Sequence, residues 1–328
     1  MSKVKQITQV QRKQAFRQLS KSQYRIRNWS RYNQNLVQRG SLTFWISPEV
    51  AQAWKPVTLP QRGGQFDYSD TAIECLLLLR SVFHLPLRAT EGFGQSLIAL
   101  MKLSVAIPDY STLCRRAKTV TVALPKKHTG ALHAVVDSTG LKVFGEGEWK
   151  VRQHGYSKHR TWRKLHLAVD PQNGEIQSVV LSENSVDDAS ALPQLLDQVE
   201  RPIEQVSGDG SYDKAKVYAE CIRRQIAHIA IPPQKNAHIW QHGNTHAPPH
   251  PRDENLRQIR ALGRKQWKIE TGYHQRSLSE NAFFRFKTIF GGTLQARLLA
   301  NQLTEVRIKS AILNRMAHLG MPDSYRLA

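Results

Sequence analysis

Apolar positions recur along the chain with two different periods, and the change of period divides it. Between residues 69 and 122 they return every three to four residues, which predicts three helices. The first covers about Ser69–Phe83 and is stopped by Pro86. The second covers Arg88–Leu103, with Phe93, Leu97, Leu100 and Met101 on one side. Asp109 stands where it can cap a third, Tyr110–Val120, whose polar face carries Ser111, Thr112, Arg115, Arg116 and Lys118. Short helices ending in a basic one fit a helix-turn-helix, whose last helix enters the major groove. They fit equally a helical subdomain that only packs against the rest.

After Pro125 the period shortens toward two. HAVVD (His133–Asp137) is a short apolar strand ending in an acid. WRKLHLAVD (Trp162–Asp170) alternates, turns at Asn173-Gly174, and continues as Glu175–Leu181. Asp187 or Asp188 caps a helix reaching Val199, and Ile203–Asp209 is a further strand. A helix over Lys214–Gln225, with Asp213 as its cap, and a strand at His228–Ile231 complete the alternation. Three strands, helix, strand, helix, strand predict an α/β fold: a mixed sheet with helices on its faces. Residues 234–255 read as a Pro/His-rich loop. Asn255–Phe290 reads as helical up to Gly291-Gly292, and Thr293–Leu319 as a last helix.

With 328 residues, 40% hydrophobic and 22% charged, the chain can bury a sizeable core. No apolar run approaches the ~20 residues of a membrane span, and the first residues lack the apolar stretch of a secretory signal. Cys75, Cys114 and Cys221 are too few and too scattered for a disulfide framework or zinc ribbon, so a reduced, cytoplasmic protein is expected. Charge changes the picture more. Lys plus Arg number 47 against 26 acids, a net +21 that calls for a polyanion, nucleic acid first.

That charge is uneven. Residues 1–60 hold eleven cations and one acid, with Arg25, Arg27 and Arg31 interleaved among Tyr24, Trp29 and Tyr32. A second stretch, Lys150, Arg152, Lys158, Arg160, Arg163 and Lys164, has no acid from Trp149 to Val169. Both suit phosphate contact, with rings that can pack on sugar or base. The expected organisation is a basic DNA-contacting arm (1–60), a three-helix DNA-binding unit (61–125) and a catalytic domain (126–328).

Candidate chemistry rests on three acids. Asp137 and Asp209 each end an apolar strand, where side chains face a shared crevice. Either alone is as readily the cap of a turn. In YHQRSLSENAFFRFK, Tyr273, Arg276, Glu280 and Lys287 fall on one helix face, with Phe283, Phe284, Phe286 and Phe290 anchoring it. Taken without Asp137 and Asp209, that segment would read more plainly as a salt-bridged amphipathic helix. Three carboxylates without Cys or His suit Mg²⁺ or Mn²⁺, and two such ions ~4 Å apart can clamp an in-line phosphoryl displacement. His238, His242, His246 and His250 recur every four residues, but Gly243, Pro248, Pro249 and Pro251 forbid the helix that would align them. Trp240 and Trp267 are candidates for base stacking or for the core.

VVDSTGLKV around Asp137, GDGSYD around Asp209 and Y-x2-R-x3-E-x6-K around Glu280 resemble the DDE transposases of bacterial insertion sequences, in the group named after insertion sequence five. RNWSRYNQNLVQRGSLTFWIS and EWKVRQHGYSKHRTWRKLHLAVD extend the resemblance to about residues 20–320. It implies an RNase H-like core using two divalent metal ions, with Asp137, Asp209 and Glu280 as catalytic, metal-binding triad. Tyr273, Arg276 and Lys287 would handle phosphate near the cut end. The implied activity is binding of terminal inverted repeats, cleavage to expose 3′-OH ends, and their transfer to target DNA, by a homo-oligomer at the bacterial nucleoid. An RNase H-like nuclease without strand transfer and a catalytically silent regulator derived from a transposase are the alternatives.

Overall fold

The computed structural model describes residues 24–46, 48–56, 66–143, 162–241 and 248–327. In chain order the elements begin with β1 (Tyr24–Ile26), α1 (Trp29–Gln38), α2 (Leu42–Trp45), α3 (Pro48–Gln52), α4 (Asp70–Val82), α5 (Leu87–Leu100) and α6 (Tyr110–Arg116). Then come β2 (Leu132–Val143), β3 (Trp162–Val169), β4 (Ile176–Glu183), α7 (Asp188–Asp197), β5 (Ile203–Ser207), α8 (Ala215–Arg223) and β6 (His228–Ala230). The rest are α9 (Pro251–Leu262), α10 (Arg264–Glu270), α11 (Ser277–Phe290), β7 (Thr293–Leu294), α12 (Leu299–Leu319) and β8 (Ser324–Arg326).

The chain forms two compact units. Among the described residues, one joins residues 24–41 with those from Leu319 onward, and the other lies within Leu42–His318. In the first, β1 pairs antiparallel with β8, and Asn28 ties the start of α1 to the Met321 carbonyl and the Asp323 amide.

The second unit is built on a mixed sheet of order β4-β3-β2-β5-β6, with β7 also pairing β2. β2, β3 and β4 are antiparallel neighbours, whereas β5 runs parallel to β2 and β6 parallel to β5. Alternate residues sort onto two faces, as strand geometry dictates. Leu165, Leu167, Val169, Ile176 and Val179 pack with α4, α6, α11 and α12 on one side. Leu132, Ala134, Val136, Ala168, Val180 and Val206 pack with α7 and α8 on the other. The alternation of strands and helices read from the sequence is therefore present, and the order is consistent with an RNase H-like core.

Several boundaries move. β2 does not stop at Asp137 but continues to Val143, because β3 pairs with it as far as Lys142. The predicted helix over Asn255–Phe290 starts earlier, at Pro251, and breaks at Gly263 (φ 82°) and Gly272 (φ 64°), conformations that cost L-residues a Cβ clash. Thr293-Leu294 is a strand rather than the start of the last helix, since its backbone pairs with Lys142 and Val143. The cap at Asp109 forms as expected, accepting the Ser111 and Thr112 amides, and Ser69, read as the first helical residue, instead caps α4 by accepting from the Ala72 amide. The three helices α4–α6 share one apolar cluster with the sheet, so Leu76, Leu79 and Leu113 lie in the same core as Leu165 and Phe286. Among the described residues no helix is long and apolar enough to cross a membrane.

Candidate active site

β5 pairs with β2 only as far as Val135↔Ser207, and β7 takes up the same edge only at Lys142. Between them the edge of β2 has no strand partner among the described residues, and α11 packs across β2 there. Asp137 lies in that gap. Asp209 follows the end of β5, two residues beyond Ser207 as Asp137 is two beyond Val135, and lies close enough for its charge to act on Asp137. Asp209 also caps the 3-10 turn Gly210–Tyr212 by accepting from Ser211 N (2.8 Å) and Ser211 Oγ, both on Oδ1. A Cβ on Gly208 would lie 2.9 Å from Tyr212 Cδ2 and 3.2 Å from Val136 Cγ2. Only glycine lets this turn approach β2 so closely.

α11 brings the third acid. Tyr273–Arg276 form a separate 3-10 turn after Gly272, so Arg276 stands at the cap of α11, with Glu280 in its first turn. Arg276 spans the crevice: Nη1 donates to Asp137 Oδ2 (3.2 Å) and Nη2 to Glu280 Oε1 (2.6 Å). Buried Ser279 places its hydroxyl 3.1 Å from Asp137 Oδ2 and 2.8 Å from the Arg276 carbonyl. Further along α11, Lys287 Nζ donates to Thr139 Oγ1 on β2 (2.6 Å). Burial raises the Asp137 carboxyl above the usual carboxylate range. The Ser138 amide, Arg276 and Ser279 pull it back, and Asp209 pushes it up again. Burial likewise raises Tyr273, whose ring packs on Trp267 at 5.6 Å; Arg276 lowers it, while Asp209 and Asp137 raise it further. The expected signature residues therefore surround one crevice, though not on one continuous helix face.

A turn of this kind needs support from below. His133 Nδ1 meets Gln275 Oε1 at 3.1 Å, and its Nε2 meets Ser207 Oγ at 2.7 Å. Gln275 Oε1 can only accept, so Nδ1 carries the proton, and the neutral ring accepts from Ser207 at Nε2. Gln205 Nε2 donates to Ser207 Oγ (3.2 Å) and to the Thr271 carbonyl (2.8 Å). This chain joins β2 and β5 to the residues that carry Tyr273 and Arg276.

Two comparisons bear on this crevice. Residues 37–146 match one family model described as a transposase DDE domain, and residues 128–315 match a second with the same description. The second alone spans more than half of the chain and contains Asp137, Asp209 and Glu280. The chain belongs to the DDE-domain transposase family. Among solved structures, the simian T-cell lymphotropic virus intasome in complex with the PP2A regulatory subunit B56 gamma aligns at 12% identity with a TM-score of 0.25. That alignment covers 62% of this chain and 63% of the other, short of two-thirds of its length.

Within this DDE-family chain, the expected DNA contacts divide. Arg25, Arg27 and Arg31 in the first unit, and Arg115 and Lys118 in the second, are exposed. Arg116 turns inward: it pairs with Asp70 (2.6 Å), donates to the Tyr68 carbonyl and covers Phe66 at 3.9 Å. Lys164 is drawn to the Val186 carbonyl (2.9 Å) and Asp188, and Arg163 to Gln302 Oε1 (3.1 Å). These three cations serve the fold, because alternation along β3 and the packing of α6 direct them at neighbouring elements. Lys150, Arg152, Lys158 and Arg160, with His242 and His246, lie outside the described residues. Trp267 is fully buried, whereas Trp240 is partly exposed and lies over Arg252 at 4.0 Å. Phe284 does not join the apolar anchor but is 69% exposed, one turn beyond Glu280. His250 caps α9 by accepting the Arg252 amide.

His166, fully buried on β3, meets Ser182 Oγ through Nε2 at 2.8 Å. Burial pushes its imidazole down to about 4; Asp188 raises it and Lys164 lowers it. The fold thus keeps the ring neutral where the unfolded chain, near 6.5, takes up a proton. Stability from this group is complete above about pH 6.5 and falls as pH drops toward about 4, by on the order of 3 kcal/mol in all. Urea unfolding at pH 7.5, 5.5 and 4.5 should show this loss, and His166→Gln should flatten it. Parallel pH profiles for the two proteins would remove His166 as the cause.

Proposed function

We propose that the chain is the transposase of an insertion sequence of the group named after insertion sequence five. It binds the element's terminal inverted repeats, hydrolyses a phosphodiester at each end to expose a 3′-OH, and joins that hydroxyl to target DNA. The observation that carries this reading is the crevice itself. Asp137 on β2 and Asp209 just past the end of neighbouring β5 lie near one another, and Arg276 bonds both Asp137 and Glu280, in a DDE-family chain.

The donors suit a hard divalent cation by type, being carboxylates without Cys or His, and Asp209 lies near enough to Asp137 to raise its carboxyl. Glu280 is engaged by Arg276, and among the described residues no group of three or more His, Cys, Asp or Glu surrounds one point. Asp137 and Asp209 would hold Mg²⁺ or Mn²⁺, with Glu280 the third donor that the family resemblance implies. Such ions, two per site, supply charge stabilisation for the attacking and leaving oxygens.

The protein's own groups do the rest. Arg276 neutralises the carboxylates in the free protein, and a DNA phosphate entering the crevice competes for its guanidinium, whose fork fits phosphate bidentately. Lys287, bonded to Thr139 two residues beyond Asp137, and buried Tyr273, close enough to feel the charges of Asp137 and Asp209, flank the same acids. Exposed cations, including Arg25, Arg27, Arg31, Arg115 and Lys118, offset the backbone charge of the duplex. Pairing two element ends requires at least two copies of the chain.

The test uses purified protein, Mg²⁺ and labelled DNA carrying the two ends that flank the gene, with a supercoiled plasmid as target. Cuts at the element boundary together with joined product are expected. Cutting without joining would leave a nuclease; specific binding with no cutting in Mg²⁺ or Mn²⁺ would leave a regulator.

A further inference from the structure

Strand alternation sends the residue after Asp137 to the opposite face of the sheet from Asp137 itself. There Ser138 Oγ donates to Asp188 Oδ1 at 2.9 Å, while the Ser138 amide donates to Asp137 Oδ1 at 2.8 Å. The other oxygen of Asp188, Oδ2, lies 3.3 Å from Ser211 Oγ. That same hydroxyl is 2.5 Å from Asp209 Oδ1, and the Ser211 amide donates to Asp209 as well. Ser138 grips Asp137 with its amide and Asp188 with its hydroxyl, while the one Ser211 hydroxyl proton is shared between Asp209 at short range and the opposite oxygen of Asp188 at long range. Lys164 Nζ, 3.4 Å from Oδ1, compensates its charge, and the Asp188 side chain is 19% exposed.

A helix cap does not explain this arrangement. Asp188 is the first residue of α7, and the cap position belongs to Asp187, whose side chain makes no capping bond and instead accepts from Lys216. The Asp188 carboxylate is spent on residues beside the two aspartates rather than on the amides of its own helix.

We infer that Asp188 is a positioning residue that fixes the separation of Asp137 and Asp209 by tying Ser138, within β2, to Ser211 in the turn after β5. The assignment rests on those two aspartates being metal donors. Groups that orient metal ligands by hydrogen bonding typically change metal affinity by about 10–100-fold when removed. Asn at 188 preserves the tie, since its carbonyl accepts from Ser138 and its amide donates to Ser211. Ala removes it.

The experiment titrates Mn²⁺ into the full chain and follows loss of the paramagnetic signal of the free ion, with thermal unfolding of each variant alongside. Asp188→Ala is expected to weaken Mn²⁺ binding by about 10–100-fold, and Asp188→Asn to restore most of it. Ser138→Ala combined with Ser211→Ala should weaken it comparably, and adding Asp188→Ala to that pair should cost little more, since the tie is already gone. Asp188→Ala binding Mn²⁺ like the parent would overturn the assignment. So would equal losses in Asp188→Asn and Asp188→Ala, which would make charge and not the tie responsible. Asp137→Ala serves as reference: if it too binds Mn²⁺ normally, the metal-site reading fails, and the role of Asp188 falls with it. A variant whose affinity drops while its unfolding temperature stays near the parent's separates positioning from loss of fold.

Discussion

Asp137→Ala should lower single-turnover cleavage of element-end DNA by about 10³-fold or more, with binding of that DNA retained. The size follows from charge. A divalent ion at a phosphoryl centre is worth several kcal/mol of transition-state stabilisation, and each 1.36 kcal/mol is tenfold in rate. Asp137 is also the acid most dependent on its surroundings: burial raises it, and Ser138, Arg276 and Ser279 are needed to bring it back. Removing it takes away one of the two carboxylates that Arg276 bonds and leaves the other, Glu280. Glu280→Gln is the gentler change, because its side chain is 59% exposed and its amide oxygen still accepts from Arg276. It should cut cleavage by about 10²–10³-fold, the range seen when one group stabilising transition-state charge is removed. Rates within tenfold of the parent for both variants, in protein that binds DNA normally, would sink the assignment of this crevice as the active site.

Much of this arrangement was legible in the sequence because it depends on local patterns. Period-two runs located β2–β6, and Asp109 and Gly291 marked helix ends through capping chemistry that acts over a few residues. Asp137, Asp209, Arg276 and Glu280 could be picked out because acids after apolar strands and a polar stripe beside buried phenylalanines are visible one segment at a time. What stayed hidden depends on contacts between segments. β2 runs past Asp137 only because β3 and β7 supply partners further along. The break at Gly272 looks like an ordinary helical glycine until its φ of 64° is known. Phe284 matches its neighbours in type, yet faces solvent. Arg116 and Lys164 fit a basic surface by composition, but find Asp70 and Asp188 instead. Asp188 itself, placed at a helix start, has the chemical signature of a cap. Only the register of β2 against the turn after β5 shows its carboxylate reaching Ser138 and Ser211.

Asp213→Ala should be among the most destabilising single changes in the chain, at about 3–5 kcal/mol in urea unfolding. Its position four residues beyond Asp209 suggests a cap for α8 or a further metal donor, and the structure gives it another task. Arg252 Nε donates to Asp213 Oδ1 at 2.7 Å and Nη2 to Oδ2 at 3.3 Å, with the two side chains 6% and 3% exposed. Tyr218 donates its hydroxyl to Oδ1, and Arg252 continues to the His238 carbonyl beneath the Trp240 ring. Asp253, fully buried, accepts the amides of Trp240 and Gln241. The pair thus fastens the segment before α9 against the turn that Asp209 caps. Removing Asp213 takes away the two-pronged partner of a buried guanidinium and leaves only Asp253, 3.7 Å from Nη1, to oppose it, which costs more than the intact pair gains. Replacing both, as Asp213→Leu with Arg252→Met, should recover part of the loss, because apolar groups of similar volume need no counter-charge, while Asp253 loses its neighbouring guanidinium. A cost below about 1 kcal/mol for Asp213→Ala, the range of an exposed ion pair, would show that the pair is solvated. Recovery of stability in the double variant without recovery of cleavage would show that the salt bridge sets the position of the Asp209 turn as well as holding the fold.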